Sequence, residues 1–210
     1  MLYIRAIDNS RLVATQYEGA PDAAAAPKGA WYDLIDPTAE ERAFVDRATG
    51  VSVPTREEIE EIEVSSRLYS EDGVEYMTVT AAARLDTDEP TKSPVMFIHN
   101  GGALVTVRYV ELRPFTNVIE RCGRPGGCAS ADPENLMLTL IEAMVDRLAE
   151  RLKQNGNDVE GWLRLVRAYL VMGEREKAAS ARADARQAIG NDTERLRQLN
   201  EGLRNLGLDG

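Results

Sequence analysis

Several features are scarce or missing in this 210-residue chain, and each absence excludes a class of function. No segment approaches the roughly 18 consecutive apolar residues that a membrane-spanning helix needs. The net charge is −10, so the basic surface expected of a nucleic-acid-binding protein is missing. The amino terminus lacks a basic segment followed by an apolar stretch, and so does not indicate a signal peptide. We expect a soluble, cytoplasmic protein with no membrane insertion and no nucleic-acid partner.

Groups that carry catalysis are equally scarce. His99 is the only histidine, so any Ser-His-Asp triad would depend on it. It lies beside a predicted hairpin turn, where a surface or strand-end histidine is expected. The sequence has no glycine-rich phosphate loop, no Gly-x-Ser-x-Gly motif and no His-Glu-x-x-His motif. No catalytic residue is predicted, and the chain is not expected to be an enzyme.

The two cysteines, Cys122 and Cys128, lie in the loop-like sequence Arg-Cys-Gly-Arg-Pro-Gly-Gly-Cys. Their spacing is not that of a zinc knuckle, and the chain has no second pair. In an oxidising compartment they would form a loop disulfide. In a cytoplasmic protein two reduced thiols are the expected state.

The chain changes character near residue 150. Residues 1–150 carry most of the acidic side chains and a mixed pattern of strands and helices. Residues 151–210 are slightly basic and show helical periodicity alone. The length suits a core of ~150 residues with a small helical appendage. We therefore predict two segments, 1–150 and 151–210.

The first segment alternates strand patterns with helix-start signals. The predicted strands cover 1–7, 11–17, 30–35, 74–82, 95–99 and 103–109. Thr38 and Thr55 each precede a glutamate by three residues, which is the capping-box pattern that begins a helix. Further helices are predicted over 115–122 and from Asp132 onward. The pattern predicts an α/β (α+β) fold with a mixed β-sheet sandwiched by helices.

Two acidic clusters in this segment contain candidate metal ligands. One spans the glutamates from 57 to 63 and includes Glu58, and the other contains Asp86, Asp88 and Glu89. Mg²⁺ prefers oxygen ligands, keeps most of its waters and needs only one or two carboxylates. A solvated helix face and an acidic loop would explain the same residues. Weakly bound Mg²⁺ is therefore the one cofactor that these residues suggest.

Several stretches of the first segment together resemble a known family. They are Trp31–Thr38, Val53–Glu63, Pro94–Ile98, Leu104–Arg108, Arg113–Phe115 and Leu140–Asp146. Residues 1–150 are similar to the cytoplasmic domain of the CorA family of magnesium and divalent-cation transporters. The resemblance implies an α/β/α sandwich that assembles as a funnel-shaped pentamer below a membrane pore. It also implies a regulatory cation site between neighbouring subunits, and Glu58, counted from Gly50, falls at one acidic member of that site.

The sequence departs from the family pattern after this domain. The long stalk helix, both membrane helices and the Gly-Met-Asn signature of the pore mouth are missing from the 210 residues. We therefore expect a pore-less, cation-sensing or regulatory domain for divalent metal transport that cannot itself conduct ions.

The second segment has the pattern of a tetratricopeptide repeat. Trp162, Leu165, Tyr169 and Met172 follow helical spacing, and a stripe of alanines at 178, 181 and 185 follows on the next helix. A third helix is predicted over 193–206. An ordinary helical hairpin with a Trp–Tyr core is the alternative interpretation. The prediction is an all-α, tetratricopeptide-like hairpin plus one helix, in which Trp162 and Tyr169 are core residues or, alternatively, contact a partner.

Residues 144–210 more narrowly resemble the C-terminal end of CcmI-type cytochrome c biogenesis proteins. The similarity is carried by Asp158–Leu165 and Gly173–Ala178. Such proteins use tetratricopeptide repeats to hold apocytochrome c. The resemblance implies, as the alternative function, a protein-interaction adaptor that binds a peptide or helix.

Overall fold

The computed structural model describes residues 1–8, 11–22, 29–62, 67–83, 91–128 and 132–208. The chain forms two compact units, Met1–Ala143 and Met144–Gly210, which we call unit 1 and unit 2. The division lies slightly before the change in composition at residue 150, inside a long helix.

The described residues of unit 1 form a seven-stranded sheet. Its strands are β1 (Leu2–Asp8), β2 (Arg11–Tyr17), β3 (Trp31–Ile35), β4 (Leu68–Glu71), β5 (Val74–Ala83), β6 (Thr91–His99) and β7 (Leu104–Arg108). The strand order is β2-β1-β3-β7-β6-β5-β4. β3 and β7 pair in parallel and the other neighbours pair antiparallel, so the sheet is mixed.

One strand, β4, was not among the predicted strands. It is short and largely exposed, so it lacks the alternating apolar pattern that indicates a strand. The local signal lies in the turn that follows it. Asp72 and Gly73 both have positive φ, at 51° and 79°, and such residues form the tight turns that join antiparallel strands. The Asp-Gly pair therefore predicts the β4–β5 hairpin better than the strand itself does.

Both capping boxes form as predicted. The helices of unit 1 are α1 (Ala39–Thr49), α2 (Arg56–Glu61), α3 (Arg113–Cys122) and the first part of α4 (Pro133–Gln154). Thr38 Oγ1 accepts a hydrogen bond from the Glu41 amide, and the Glu41 carboxylate accepts one from the Thr38 amide. α1 then ends at Gly50, whose φ of 75° suits glycine.

Helices cover both faces of the sheet. On one face the apolar side chains of the central strands pack with Phe44 and Val45 of α1 and Ile59 of α2. On the other face the ring of Phe115 in α3 lies 6.0 Å from that of Trp31 and 6.2 Å from that of Phe97. The predicted fold class, a mixed sheet sandwiched by helices, is confirmed.

Unit 2 is all-α. It contains the end of α4 and the helices α5 (Val159–Val171), α6 (Arg175–Ile189) and α7 (Thr193–Asn205). Asp158 caps α5 by accepting a hydrogen bond from the Gly161 amide at 2.8 Å. Within the described ranges, no helix combines the length and the apolar character needed to cross a membrane.

Cys122 and Cys128 are joined by a disulfide, with their Cα atoms 4.9 Å apart. The reduced thiols expected from the sequence are therefore not what the structure shows. The expectation followed from the assumed compartment, whereas the pairing follows from a local turn that returns the chain to the end of α3.

Candidate functional site

Glu58, the candidate cation ligand, lies in the first turn of α2 and is exposed. Its Oε2 accepts a hydrogen bond of 2.7 Å from the Thr55 amide, while its own amide donates to Thr55 Oγ1 at 3.2 Å. The hydrogen bond from the Thr55 amide holds the pKa of Glu58 below its ordinary value. The carboxylate is therefore ionised at neutral pH, and Oε1 is left for solvent or a cation.

The surroundings of Glu58 on α2 are strongly acidic. Glu57, Glu60 and Glu61 are also exposed. Arg56 is the only basic residue of this helix, and its Nε pairs with the Glu60 carboxylate at 2.7 Å. α2 therefore presents a surplus of negative charge that suits a hydrated divalent cation.

The structure does not bring a complete metal site together. Among the described residues, no three side chains of histidine, cysteine, aspartate or glutamate are placed to hold a metal ion together. Asp86, Asp88 and Glu89, the other candidate ligands, lie outside the described residues. Glu58 thus stands as one carboxylate on an acidic surface.

Tyr109, which directly follows the central strand β7, lies beside α2 in an unusual environment. The Arg56 guanidinium lies 4.9 Å from the centroid of the Tyr109 ring. Burial raises the pKa of Tyr109 to about 12, and the nearby positive charge of Arg42 opposes that shift. The hydroxyl of Tyr109 is therefore protonated at neutral pH and does not add a charged ligand to the acidic surface.

A buried ionic cluster spans the second face of the sheet. Asp33 on β3 has no exposed surface and accepts four hydrogen bonds. Arg5 on β1 donates one to Oδ2 at 3.0 Å, and Thr106 on β7 donates one to Oδ1 at 2.8 Å. Arg108 donates two, from Nε at 3.1 Å and from Nη2 at 3.0 Å. Trp31 Nε1 extends the network by donating to Thr106 Oγ1 at 2.9 Å.

The carboxylate and the two guanidinium groups of this cluster stay ionised because each lies beside opposite charge. Burial favours the neutral form of Asp33, but the charge and hydrogen bonds of Arg108, with those of Arg5, outweigh burial and hold the pKa of Asp33 below its ordinary value. Burial lowers the pKa of Arg5, which also stacks 4.4 Å from the Trp31 ring. Because the Asp33 carboxylate is enclosed and satisfied, it cannot act as a metal ligand or a base. Its role is to join three strands.

The sequence alone predicted no role for the three charged residues of this cluster. The available signal is that each is a charge inside an otherwise apolar strand: Arg5 in LYIRAID, Asp33 in WYDLI and Arg108 in LVTVR. A charge in such a position needs a partner if it is buried. The pattern therefore indicates mutual pairing once the strands are known to be neighbours.

In unit 2 the two aromatic residues that were candidate partner contacts lie in the core. Trp162 is 1% exposed and Tyr169 is 7% exposed, and both belong to the apolar cluster that α6 completes with Ala178, Ala181 and Ala185. Trp162 Nε1 donates to the Gly156 carbonyl oxygen at 2.9 Å. A binding surface on this unit would consequently have to use other, exposed side chains.

These features define an α/β domain with an acidic surface helix, followed by a helical unit. The family model described as "CorA-like Mg2+ transporter protein" matches residues 28–168, which is about two thirds of the chain. The chain therefore belongs to this family, and the resemblance of the first segment is confirmed.

Two curated relatives match stretches of very different length. The magnesium transport protein CorA of Pectobacterium atrosepticum is 30% identical over 167 residues, which cover 79% of this chain and 51% of the relative. The cytochrome c-type biogenesis protein CycH of Bradyrhizobium diazoefficiens is 73% identical over 71 residues, which cover 34% of this chain and 19% of that protein. The chain thus spans about half of the CorA relative and a small part of the CycH protein.

A solved structure supports the fold. The complete structure of the CorA magnesium transporter from Methanocaldococcus jannaschii superposes with a TM-score of 0.53. The match covers 99% of this chain and 75% of the solved chain at 12% identity. At this identity the likeness establishes the architecture alone.

Proposed function

We propose that this chain is a cation-sensing, regulatory domain for divalent metal transport, with Mg²⁺ bound weakly at the acidic surface of α2. The observation that carries the proposal is the CorA-like family match over residues 28–168, which includes α2. Glu58 is the central ligand because it is ionised, exposed and held in one orientation by its capping hydrogen bond. The role assigned to these residues is sensing, not conduction.

Weak binding follows from the number of ligands. Mg²⁺ takes one or two carboxylates and keeps several waters, and α2 offers Glu58 with its acidic neighbours. A second copy of the chain, or the segment with Asp86, Asp88 and Glu89, would supply further oxygen ligands. A cation that binds between two copies of the chain stabilises their association. We therefore expect Mg²⁺ to promote self-association, and we propose a pentamer as the assembly.

The test compares the chain with two matched variants. Glu58→Gln removes the charge but keeps a capping residue, because glutamine also closes a capping box. Glu120→Gln removes the same charge from an exposed position on α3. We expect millimolar Mg²⁺ to increase the mass measured by light scattering for the wild type and for Glu120→Gln, and much less for Glu58→Gln. Equal responses of all three proteins, or no response of the wild type, would exclude Glu58 as the sensing ligand.

A second candidate function is supported by the CycH similarity of 73% over 71 residues. We propose as the alternative that unit 2 is a tetratricopeptide-like adaptor that binds a peptide or helix. Trp162 and Tyr169 then stabilise the helices, and exposed residues make the contact.

A peptide titration separates the two functions. An apocytochrome c peptide is titrated against the chain and against a variant with Trp162→Phe, which keeps an aromatic core residue. The adaptor function predicts saturable binding that both proteins retain and that Mg²⁺ does not change. The absence of binding to the folded chain would leave cation sensing as the supported function.

A further inference from the structure

The disulfide at the end of α3 closes a very small loop. Cys122 is the last residue of the helix, and Cys128 returns to it after five residues. Three backbone hydrogen bonds fold this segment. The Gly123 amide donates to the Ile119 carbonyl oxygen at 2.9 Å, the Arg124 amide to the Arg121 carbonyl oxygen at 3.1 Å, and the Gly127 amide to the Arg124 carbonyl oxygen at 3.0 Å. The Cα separation of 4.9 Å lies within the range that a disulfide spans.

Glycine is required where this turn passes the helix end. A Cβ atom at Gly127 would lie 1.8 Å from the Arg121 carbonyl oxygen, which no backbone can accommodate without moving. Gly126 has a φ of 71°, in the region that favours glycine. The backbone itself therefore holds Cys128 against Cys122, which keeps the two sulfur atoms at high effective concentration.

The two cysteine residues differ in their exposure to solvent. Cys122 has no exposed surface, whereas Cys128 is half-buried and follows an exposed segment. Arg121 and Arg124 are exposed beside the pair and place positive charge there. An anionic thiol approaching from solvent consequently meets the Cys128 sulfur first, in a field that attracts it.

We propose that Cys122 and Cys128 form a reversible dithiol–disulfide site that exchanges with a low-molecular-weight anionic thiol of the glutathione class. In reduction, the external thiolate attacks the Cys128 sulfur, forms a mixed disulfide there and releases Cys122 as a thiolate that takes a proton. A second external thiolate then attacks the external sulfur of the mixed disulfide, which breaks its bond to the Cys128 sulfur, forms one external disulfide and releases Cys128 as a thiolate that takes a proton. Oxidation by the external disulfide is the reverse, so two electrons and two protons balance in each direction.

The structural consequence is local to the end of α3. A Cβ atom placed at Gly123 would lie 3.9 Å from the Leu12 carbonyl oxygen of β2. The disulfide therefore lies where α3 meets an edge strand of the sheet. Reduction removes the covalent link between the end of α3 and the 123–128 turn, while the backbone hydrogen bonds of the turn remain. The exchange is independent of the acidic surface of α2, and so this inference stands apart from the proposed cation function.

A redox titration tests reversibility. The intact chain is equilibrated in mixtures of reduced and oxidised glutathione, free thiols are alkylated, and the mass distribution is measured. We expect one two-electron transition between fully oxidised and fully reduced protein within the range of the mixtures. A chain that stays oxidised in excess reduced glutathione, or reduced in excess oxidised glutathione, would overturn the proposal.

Two single variants test the order of attack, and each is the other's control because neither can form the disulfide. Cys122→Ser keeps the accessible Cys128, and Cys128→Ser keeps the buried Cys122. In oxidised glutathione we expect Cys122→Ser to form its mixed disulfide roughly ten-fold faster, since exposure governs thiol reactivity. Equal rates, or the opposite order in variants whose circular dichroism matches the wild type, would overturn Cys128 as the attacked sulfur.

Discussion

The two units of this chain build their cores from different chemistry. Every buried polar or charged side chain among the described residues lies in unit 1, including Arg5, Asp33 and Arg108. The buried residues of unit 2 are apolar or aromatic, with a stripe of alanines on α6 that lets helices approach closely. In unit 1, strands that are distant in sequence are joined by buried ionic pairing, whereas the helices of unit 2 are joined by complementary apolar surfaces.

The difference follows from chain connectivity. Asp33 is bonded to residues 28 and 75 positions away, so its network forms only when β1, β3 and β7 are correctly aligned. A one-residue slip of any of these strands would turn its charge to the wrong face. In unit 2, by contrast, α5 packs against both α6 and α7, and the starts of α5 and α7 are set by the local caps at Asp158 and Asp192. The four predictions that follow test this contrast, from the largest expected effect to the smallest.

Removing the central carboxylate should have the largest effect. Asp33→Ala leaves the buried Arg5 guanidinium without its carboxylate partner and leaves Arg108 paired only with the exposed carboxylate of Glu111, which we expect to lower the free energy of unfolding by about 4 kcal/mol. The measurement is urea unfolding followed by Trp31 fluorescence in a Trp162→Phe background. Glu60→Gln removes an exposed ion pair and should cost at most about 0.5 kcal/mol. Similar losses for both variants would show that the cluster does not stabilise unit 1.

Trp162→Ala should destabilise unit 2 by about 3 kcal/mol. The change leaves a cavity in the helical core and an unpaired carbonyl oxygen at Gly156. Trp31 then remains as the only tryptophan, and its fluorescence reports unit 1 while circular dichroism reports the helices. We expect the helical signal to be lost at lower urea with the Trp31 transition unchanged. An equal shift of both signals would show that the units unfold together, and Val171→Ala, at a position 81% exposed, provides the neutral control.

Replacing both cysteines by serine should destabilise unit 1 by about 2 kcal/mol, because the disulfide closes a short loop and so removes little entropy from the unfolded chain. The transition reported by Trp31 is expected to shift, and the one reported by Trp162 to stay. Reduction of the wild type with a thiol reagent should reproduce the shift. A shift confined to the Trp162 signal would show that the disulfide does not stabilise unit 1.

Acid should weaken unit 1 more than unit 2. The folded-state pKa of Asp33 is depressed by its arginine partners, so its contribution to stability is present above its ordinary value of 3.8 and is lost as pH falls through the lower folded value. Asp33 is ionised near neutral pH in both the folded and the unfolded chain, so the free energy of unfolding changes little with pH there. Unfolding midpoints measured in urea on lowering pH below about 4 should fall faster for the Trp31 signal than for the Trp162 signal. Asp33→Asn should remove part of this difference, and an unchanged difference would assign the acid sensitivity to other carboxylates.

Features set by neighbouring residues could be predicted from the sequence, and those set by distant contacts could not. The capping boxes at Thr38 and Thr55 involve side chains three residues apart, so their patterns predicted the starts of α1 and α2. The Asp33 network depends on which strands lie side by side, and strand order is not a local property. The disulfide between Cys122 and Cys128 was the alternative interpretation and not the expected one, because the expectation followed from compartment and not from the two glycines that close the turn.

The candidate site was predictable to the same extent. Glu58 was selected by family position, and its capping geometry follows from the Thr55 signal. Its cation partners were not predictable, because further ligands would come from a second copy or from residues far along the chain. Trp162 and Tyr169 have the spacing of a buried stripe, and spacing alone does not separate a core contact from a partner contact.

The most direct test of cation sensing is the molecular mass of the chain by light scattering across millimolar Mg²⁺, for the wild type and for Glu58→Gln. We expect a Mg²⁺-dependent increase in mass for the wild type that is strongly reduced in Glu58→Gln, with the helix content of both proteins equal by circular dichroism. A wild-type mass that Mg²⁺ leaves unchanged would rule out cation sensing through self-association and direct attention to the partners of unit 2.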